Sequence, residues 1–227
     1  MIEDKYADRE VSIMEIERFA VHDGPGIRTV VFLQGCPLRC TWCSNPESQQ
    51  IHSHLLYMDN RCVSCGSCVQ ACPNGNITFE ENHPLFNRAE CVSCGSCADA
   101  CAQNAIRFVG ESVSVQEVME LILRDKDYYQ SSGGGVTFSG GEAFVQFEGL
   151  MELLTLCKKE GLHTAVETCG QVSSERIKKA YPLIDLFLFD IQHMNADLLK
   201  KETGADLNIV LHNLCYLSDM NPEKVII

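Results

Sequence analysis

The chain has 227 residues and a formal net charge of −13, which argues against nucleic acid or an anionic membrane as its main partner. This length allows one sizeable core with a small appended module. Its 14 Cys would suit a secreted disulfide scaffold, but Met1 to Glu10 has no apolar stretch to serve as a signal peptide.

The expected setting is therefore a reducing cytoplasm, where Cys are metal ligands before they are disulfides. The longest apolar runs, such as Leu186 to Phe189, are strand-sized and too short to span a bilayer. Along the chain, His22-Asp-Gly-Pro-Gly-Ile-Arg28 reads as a turn and Thr29 to Gly35 as a first strand. Directly after it come Cys36, Cys40 and Cys43, in Cys-Pro-Leu-Arg-Cys-Thr-Trp-Cys. Three close thiolates can hold a four-iron cluster and leave one iron without a protein ligand, whereas electron-transfer clusters take four Cys. An open metal position marks a centre that does chemistry, as in catalytic zinc.

Next, Cys62, Cys65, Cys68 and Cys72 recur 29 residues later as Cys91, Cys94, Cys97 and Cys101, both sets spaced CxxCxxCxxxC. Structural zinc is the alternative, but zinc sites use two spaced Cys pairs rather than three Cys in seven residues. Ser114 to Glu117 is a capping box that opens a helix to about Tyr129. A second strand follows at Val136–Phe138 and a helix near Gln146–Glu160. A third strand is expected at His163–Thr168, a helix near Ser174–Ala180, a fourth strand at Asp185–Asp190, helical segments between Asn195 and Leu217, and a fifth strand starting at Lys224. Repeated βα units predict a parallel sheet with right-handed crossovers, open or closed into a barrel.

In parallel barrels the chemistry gathers at the C-terminal strand ends. The cluster loop follows the first strand, Ser139-Gly-Gly-Glu142 the second, Glu167-Thr168 closes the third and Asp190 the fourth. Gly140 and Gly141 permit close backbone approach to a ligand, and Glu142 offers a carboxylate to an ammonium group. A Gly-rich turn with a solvated Glu is the plain alternative. Of the remaining Cys, Cys157 and Cys215 are expected to pack as small hydrophobes, and Cys169, just past the third rim motif, either to face the cavity or to be passive, with passive the reading preferred.

The cluster loop, with Trp42 before its last Cys, resembles the CxxxCxxC signature of radical S-adenosylmethionine enzymes, in which that aromatic packs near the adenine. The repeat resembles a two-cluster bacterial ferredoxin, where the fourth Cys of each copy ligates the other cluster. This implies two further four-iron clusters, one on Cys62, Cys65, Cys68 and Cys101, the other on Cys91, Cys94, Cys97 and Cys72. Ser139 to Glu142 resembles the motif that binds the methionyl amine, which implies cofactor contacts from Gly140, Gly141 and Glu142. Together with Asp-Gly-Pro-Gly-Ile-Arg, these segments resemble the activating enzymes of glycyl radical enzymes over nearly the whole chain. The ferredoxin insertion is carried by the activases of glycerol or diol dehydratases, choline or isethionate lyases, arylacetate decarboxylases and arylsuccinate synthases.

The resemblance implies an α/β fold: a partial parallel (β/α) barrel of the radical-SAM type over residues 1–55 and 110–227, with a ferredoxin-like domain inserted at 56–109. Family members continue through a sixth strand, so a C-terminally truncated barrel is expected. Glu167, Thr168 and Asp190 match positions around the methionyl group and, in some members, a monovalent cation. Asp23 and Arg28 match the loop that faces the partner's glycine. Gln192 stands where Lys is usual and cannot neutralise a carboxylate. The contact to the cofactor carboxylate is thus expected to be weaker there or to pass to His193, for which a satisfied surface or core role is the plain alternative. The implied reaction is reductive cleavage of S-adenosylmethionine, giving a radical that removes a glycine hydrogen from the C-terminal loop of a glycyl radical enzyme. A flavodoxin or ferredoxin-type reductant would supply the electron. Two other readings fit parts of the chain: an electron carrier on an inactive barrel, and a radical enzyme acting on a small molecule.

Overall fold

The computed structural model describes residues 9–227, so the reading of Met1 to Asp8 lies outside the described residues. In chain order the elements begin with β1 (Glu10–Ala20), β2 (Arg28–Leu33), β3 (His54–Tyr57), α1 (Ser67–Ala71), β4 (Ile77–Glu80), β5 (His83–Phe86), α2 (Ser96–Asp99), β6 (Ile106–Val109) and β7 (Glu111–Ser114). They continue with α3 (Val115–Leu123), α4 (Lys126–Ser132), β8 (Gly135–Gly140), α5 (Phe147–Lys159), β9 (Thr164–Thr168), α6 (Ser174–Ala180), β10 (Leu186–Phe189), α7 (Ala196–Thr203), α8 (Leu207–Met220) and β11 (Val225–Ile226). The chain divides into two compact units, one running to His52 and resuming at Glu111–Ile227, the other Ser53–Gly110.

The larger unit is mixed α/β, built on a seven-stranded sheet in the order β11-β10-β9-β8-β2-β1-β7. From β2 through β8, β9 and β10 to β11 every pairing is parallel. On the other side, β1 runs antiparallel to β2, and β7 antiparallel to β1. The expectation of a parallel sheet therefore needs correcting at this edge. The link from Val21 to Ile27 is seven residues, too short for the crossover that parallel neighbours require. In β1, Val11 and Ile13 are buried while Glu10 is exposed, the alternation of a strand with one covered face.

The core lies between this sheet and its helices. Leu150, Leu153, Leu154 and Cys157 recur at i, i+3, i+4 and i+7 along α5 and are all 0% exposed. Each buried Leu contributes about 1.5–3 kcal/mol relative to exposure. Val118, Met119 and Ile122 of α3 enter the same cluster. The capping box of α3 is present, with Ser114 Oγ accepting from the Glu117 N–H at 3.2 Å. The single helix expected to Tyr129 is instead two. The break falls at Asp125, whose buried carboxylate accepts from Arg18 Nε at 2.7 Å and Thr29 Oγ1 at 3.2 Å and is drawn out of helical register.

In the smaller unit β3 pairs antiparallel with β6, and β4 with β5. The sequence repeat is reproduced in the backbone. Ser64 and Ser93 both have positive φ, and Gly66 and Gly95 both stand left-handed just before α1 and α2. Cys68 and Cys97 are buried with Leu55, Ile77 and Ile106 in a core of their own.

Candidate active site

The loop after β2 is clasped from several sides before any ligand is considered. The Gly35 N–H donates to Ser48 O at 2.7 Å, Arg39 N–H to Thr203 O at 2.9 Å and Thr41 N–H to Glu202 O at 3.0 Å. Leu38 is buried against Leu199 and Ala205, beside the end of α7. The loop is thus held by backbone bonds and one apolar plug. Its thiols Cys36, Cys40 and Cys43 line a cavity of about 280 Å³, shared with Asp23, Phe32, Trp42, Ser139, Gly140, Gly141, Glu167, Thr168, Asp190 and Gln192.

Gly140 and Gly141 bring this rim together. A Cβ on Gly140, whose φ is +114°, would sit 2.2 Å from Leu33 O, and one on Gly141 would sit 2.4 Å from Gly35 O. The close approach expected toward a ligand is therefore first an approach to the chain's own backbone, seating the loop after β8 on the end of β2. Only glycine tolerates that conformation and that distance.

Glu142 needs a correction. It is 1% exposed and does not line the cavity. Its carboxylate accepts from Thr168 Oγ1 at 2.9 and 3.0 Å, from the Cys169 N–H at 3.0 Å, from Cys169 Sγ at 3.1 Å and from the Phe144 N–H at 3.3 Å. Glu142 is a clamp between the loops after β8 and β9. Burial raises its pKa, and the donors around it offset part of the rise. Cys169, expected to be passive, belongs to this clamp and also lines the cavity. The signal for it was its position just past the third rim motif. Cys215 is exposed and does not pack as a hydrophobe, whereas Cys157 is fully buried.

The acids that do face the cavity are Asp23, Glu167 and Asp190. Ser139 Oγ donates to Glu167 Oε2. Burial raises the pKa of Glu167, with Asp190 and Asp23 adding to the rise, and burial alone raises that of Asp190. A bound cation favours the ionised carboxylates, so its affinity should climb as pH rises through their elevated pKa values and fall below them. Binding of a cationic ligand should therefore expel protons. Calorimetry in buffers of different ionisation enthalpy checks this, and net proton uptake would contradict it.

Arg28 also departs from expectation. It is 0% exposed and presents no surface to a partner. Its guanidinium donates to Thr137 Oγ1 at 2.7 Å, Val136 O at 2.7 Å and Pro25 O at 3.1 Å, and Nη2 meets His163 Nδ1 at 3.3 Å. Burial lowers its pKa to about 10. Thr137 Oγ1 in turn donates to Asp23 O at 2.7 Å. Arg28 therefore anchors from beneath the loop that carries Asp23 into the cavity. Arg28→Met is expected to cost about 2–4 kcal/mol, because several buried acceptors lose their donor together. A urea midpoint unchanged by the substitution would refute this, and Lys should not rescue, having no planar fork.

Trp42 is 47% exposed, and its Nε1–H donates to Gln192 Oε1 at 2.7 Å. His193 Nδ1 accepts from the Asn195 N–H at 2.8 Å, a turn-forming role before α7.

The donor set suits a cluster: three thiols of one loop open on one cavity, and each can ligate iron as thiolate. Burial pushes Cys36 up to about 11, so bound iron must displace its proton. Among the described residues, no three His, Cys, Asp or Glu side chains close on a single metal ion.

In the smaller unit, one pocket of about 280 Å³ is lined by Cys62, Cys65, Cys68 and Cys101. A second, of about 30 Å³, is lined by Cys72, Cys91, Cys94 and Cys97. The Asn76 N–H donates to Cys72 Sγ and the Ala105 N–H to Cys101 Sγ, both at 3.3 Å and at equivalent positions of the repeat. Hydroxyls of Ser67 and Ser96 lower the pKa of Cys65 and Cys94 in the same paired way.

A family model described as a 4Fe-4S single cluster domain matches residues 22–202, from the loop before β2 through the whole cavity wall into α7. The chain is a radical S-adenosylmethionine enzyme, a class that implies a four-iron cluster and S-adenosylmethionine as cofactors. The choline trimethylamine-lyase activating enzyme of Oleidesulfovibrio alaskensis is 42% identical over 92% of this chain and 69% of its own length. The trans-4-hydroxy-L-proline dehydratase activating enzyme of Clostridioides difficile is 43% identical over 92% of this chain and 69% of its own. The 4-hydroxyphenylacetate decarboxylase activating enzyme of Clostridioides difficile strain 630 is 39% identical over 96% and 71%. The chain belongs to the glycyl-radical enzyme activating enzymes, which act on a partner glycyl-radical enzyme. Among the described residues, no helix is long and apolar enough to cross a membrane.

Proposed function

We propose that the cavity at the strand ends is the chamber in which this activating enzyme prepares hydrogen abstraction from a backbone glycine, with Cys36, Cys40 and Cys43 holding the open-iron cluster. The observation that carries the reading is the meeting of three thiols, the Gly140–Gly141 backbone and the carboxylates of Glu167 and Asp190 on one cavity. When bound, the cluster and S-adenosylmethionine supply one-electron reductive cleavage and hydrogen-atom abstraction.

The chain's own residues bind, orient and shield. Glu167 and Asp190 offer negative charge to the ammonium of the cofactor or to a monovalent cation, and their burial keeps competing water few. Thr168 and Glu142 act as positioning residues that fix the two loops on which those contacts stand. Trp42 presents its ring at the cavity edge, beside the third ligand Cys43. Asp23 reaches the cavity from the loop before β2, the loop that the family resemblance places nearest the partner's glycine.

In the smaller unit, the two lined pockets support ferredoxin-like clusters on Cys62, Cys65, Cys68 and Cys101, and on Cys72, Cys91, Cys94 and Cys97. These clusters would take electrons from a flavodoxin or ferredoxin-type protein in a reducing cytoplasm. The test is anaerobic reconstitution, reduction and incubation with S-adenosylmethionine. Formation of 5′-deoxyadenosine is expected, and its absence would favour a pure electron carrier.

A further inference from the structure

The two copies of the cysteine repeat are offset by 29 residues, so each position around one cluster pocket has a counterpart around the other. Equivalent backbone N–H groups reach Cys72 and Cys101 Sγ at 3.3 Å, and equivalent hydroxyls stand beside Cys65 and Cys94. These contacts cancel when the two sites are compared. The charges do not. Asp59 of the first copy stands where the second has Arg88.

Arg88 lines the pocket of Cys72, Cys91, Cys94 and Cys97, and its Nη1 donates to Leu55 O on the same wall. That bond holds the guanidinium at the pocket although the residue is exposed overall. The pocket of Cys62, Cys65, Cys68 and Cys101 has no Lys, Arg, Asp or Glu among its described lining residues. Its wall residue Tyr57 donates through Oη to Asp59 Oδ1 at 3.2 Å, which brings a carboxylate to that side. His83 Nδ1 meets the same oxygen at 3.0 Å, from a ring that is neutral unless protonated. Three charges run the other way: Arg61 in the first copy, Glu90 and Asp99 in the second. All three are exposed and line neither pocket, so water and salt screen them.

Reduction adds one electron to a four-iron cluster, and its potential follows net charge, hydrogen bonds to sulfur and solvent exposure. A cation fixed at the pocket wall favours the reduced state, and a carboxylate opposes it. We infer that Arg88 makes the cluster on Cys72, Cys91, Cys94 and Cys97 the first of the pair to be reduced, so that an electron entering the smaller unit settles there. This rests on the two-cluster reading proposed above. The donor, a flavodoxin or ferredoxin-type protein, is oxidised by one electron for each cluster reduced, and no proton need move.

The test is an anaerobic redox titration of the reconstituted full chain with dithionite, followed by electron paramagnetic resonance, with iron measured in each variant. Cys94→Ser and Cys65→Ser each alter the wave of their own cluster and so tell these two from the third. In the wild type the Cys94 wave is expected at the higher potential. Arg88→Gln keeps a donor for Leu55 O but carries no charge. At the wild-type midpoint its ratio of reduced to oxidised cluster should fall about tenfold, which is about 59 mV for one electron. The Cys65 wave and the iron content should stay as they were. Arg88→Lys, which keeps the charge, should hold the wild-type potential.

An unmoved Cys94 wave in Arg88→Gln would overturn the inference, as would a higher potential for the Cys65 wave in the wild type. If neither Ser variant changed any wave, the two-cluster reading would fall and this inference with it.

Discussion

Cys36→Ala is expected to abolish 5′-deoxyadenosine formation entirely while leaving about eight irons bound, the content of two four-iron clusters on the other cysteines. The reason is the separation of the ligand sets. Cys36, Cys40 and Cys43 open on one cavity of the larger unit, and the repeated cysteines line two pockets of the smaller one. Removing one of three ligands leaves the catalytic cluster with too few thiolates, whereas the smaller unit keeps its own core around Cys68 and Cys97. Iron analysis and electron paramagnetic resonance of the reduced variant give the result directly. Collapse of iron to near zero would show that the cluster sites do not assemble independently.

The second large effect is expected at Glu142. Glu142→Ala strips the acceptor from Thr168 Oγ1, the Cys169 N–H and the Phe144 N–H at once, and Thr168 and Phe144 are themselves buried. Each buried donor left unmade costs about 1–3 kcal/mol, so the total is on the order of 2–4 kcal/mol after relief of the carboxylate's own desolvation. Gln, which retains one acceptor oxygen, should lose less. The pKa of Glu142 is raised on folding, so its ionised form opposes folding at neutral pH. That penalty is absent below the unfolded pKa and grows as pH climbs. The stability gap between Glu142→Gln and the wild type should therefore shift in favour of Gln as pH rises. Urea midpoints at two pH values measure this. A variant Ala protein as stable as wild type, with unchanged cofactor affinity, would remove the clamp.

Much of the site was legible because its motifs are local. Three Cys within one short loop, and two copies of a four-Cys spacing, state their ligand chemistry without reference to the rest of the chain. Helices α5 and α6 fall in the ranges Gln146–Glu160 and Ser174–Ala180 that the alternation of strand and helix predicts. Less legible was β1, whose alternation of Val11 and Ile13 with polar residues is brief and ends in a charged stretch. The break between α3 and α4 was hidden for another reason: it depends on Arg18, far away in sequence, reaching Asp125.

Residue types and spacings alone predicted a cluster-bearing α/β chain with a duplicated cysteine module and a rim of polar motifs at its strand ends. Only the tertiary structure decided which of those polar side chains reach the cavity. Glu142 turned inward to hold two loops, Arg28 became a buried anchor, and Gln192 accepts a hydrogen bond from an indole 150 positions away. The physical reason is that a motif specifies which groups are available, whereas the packing of neighbouring strands decides which of them must be spent on unsatisfied backbone and side-chain donors before any remain for a ligand.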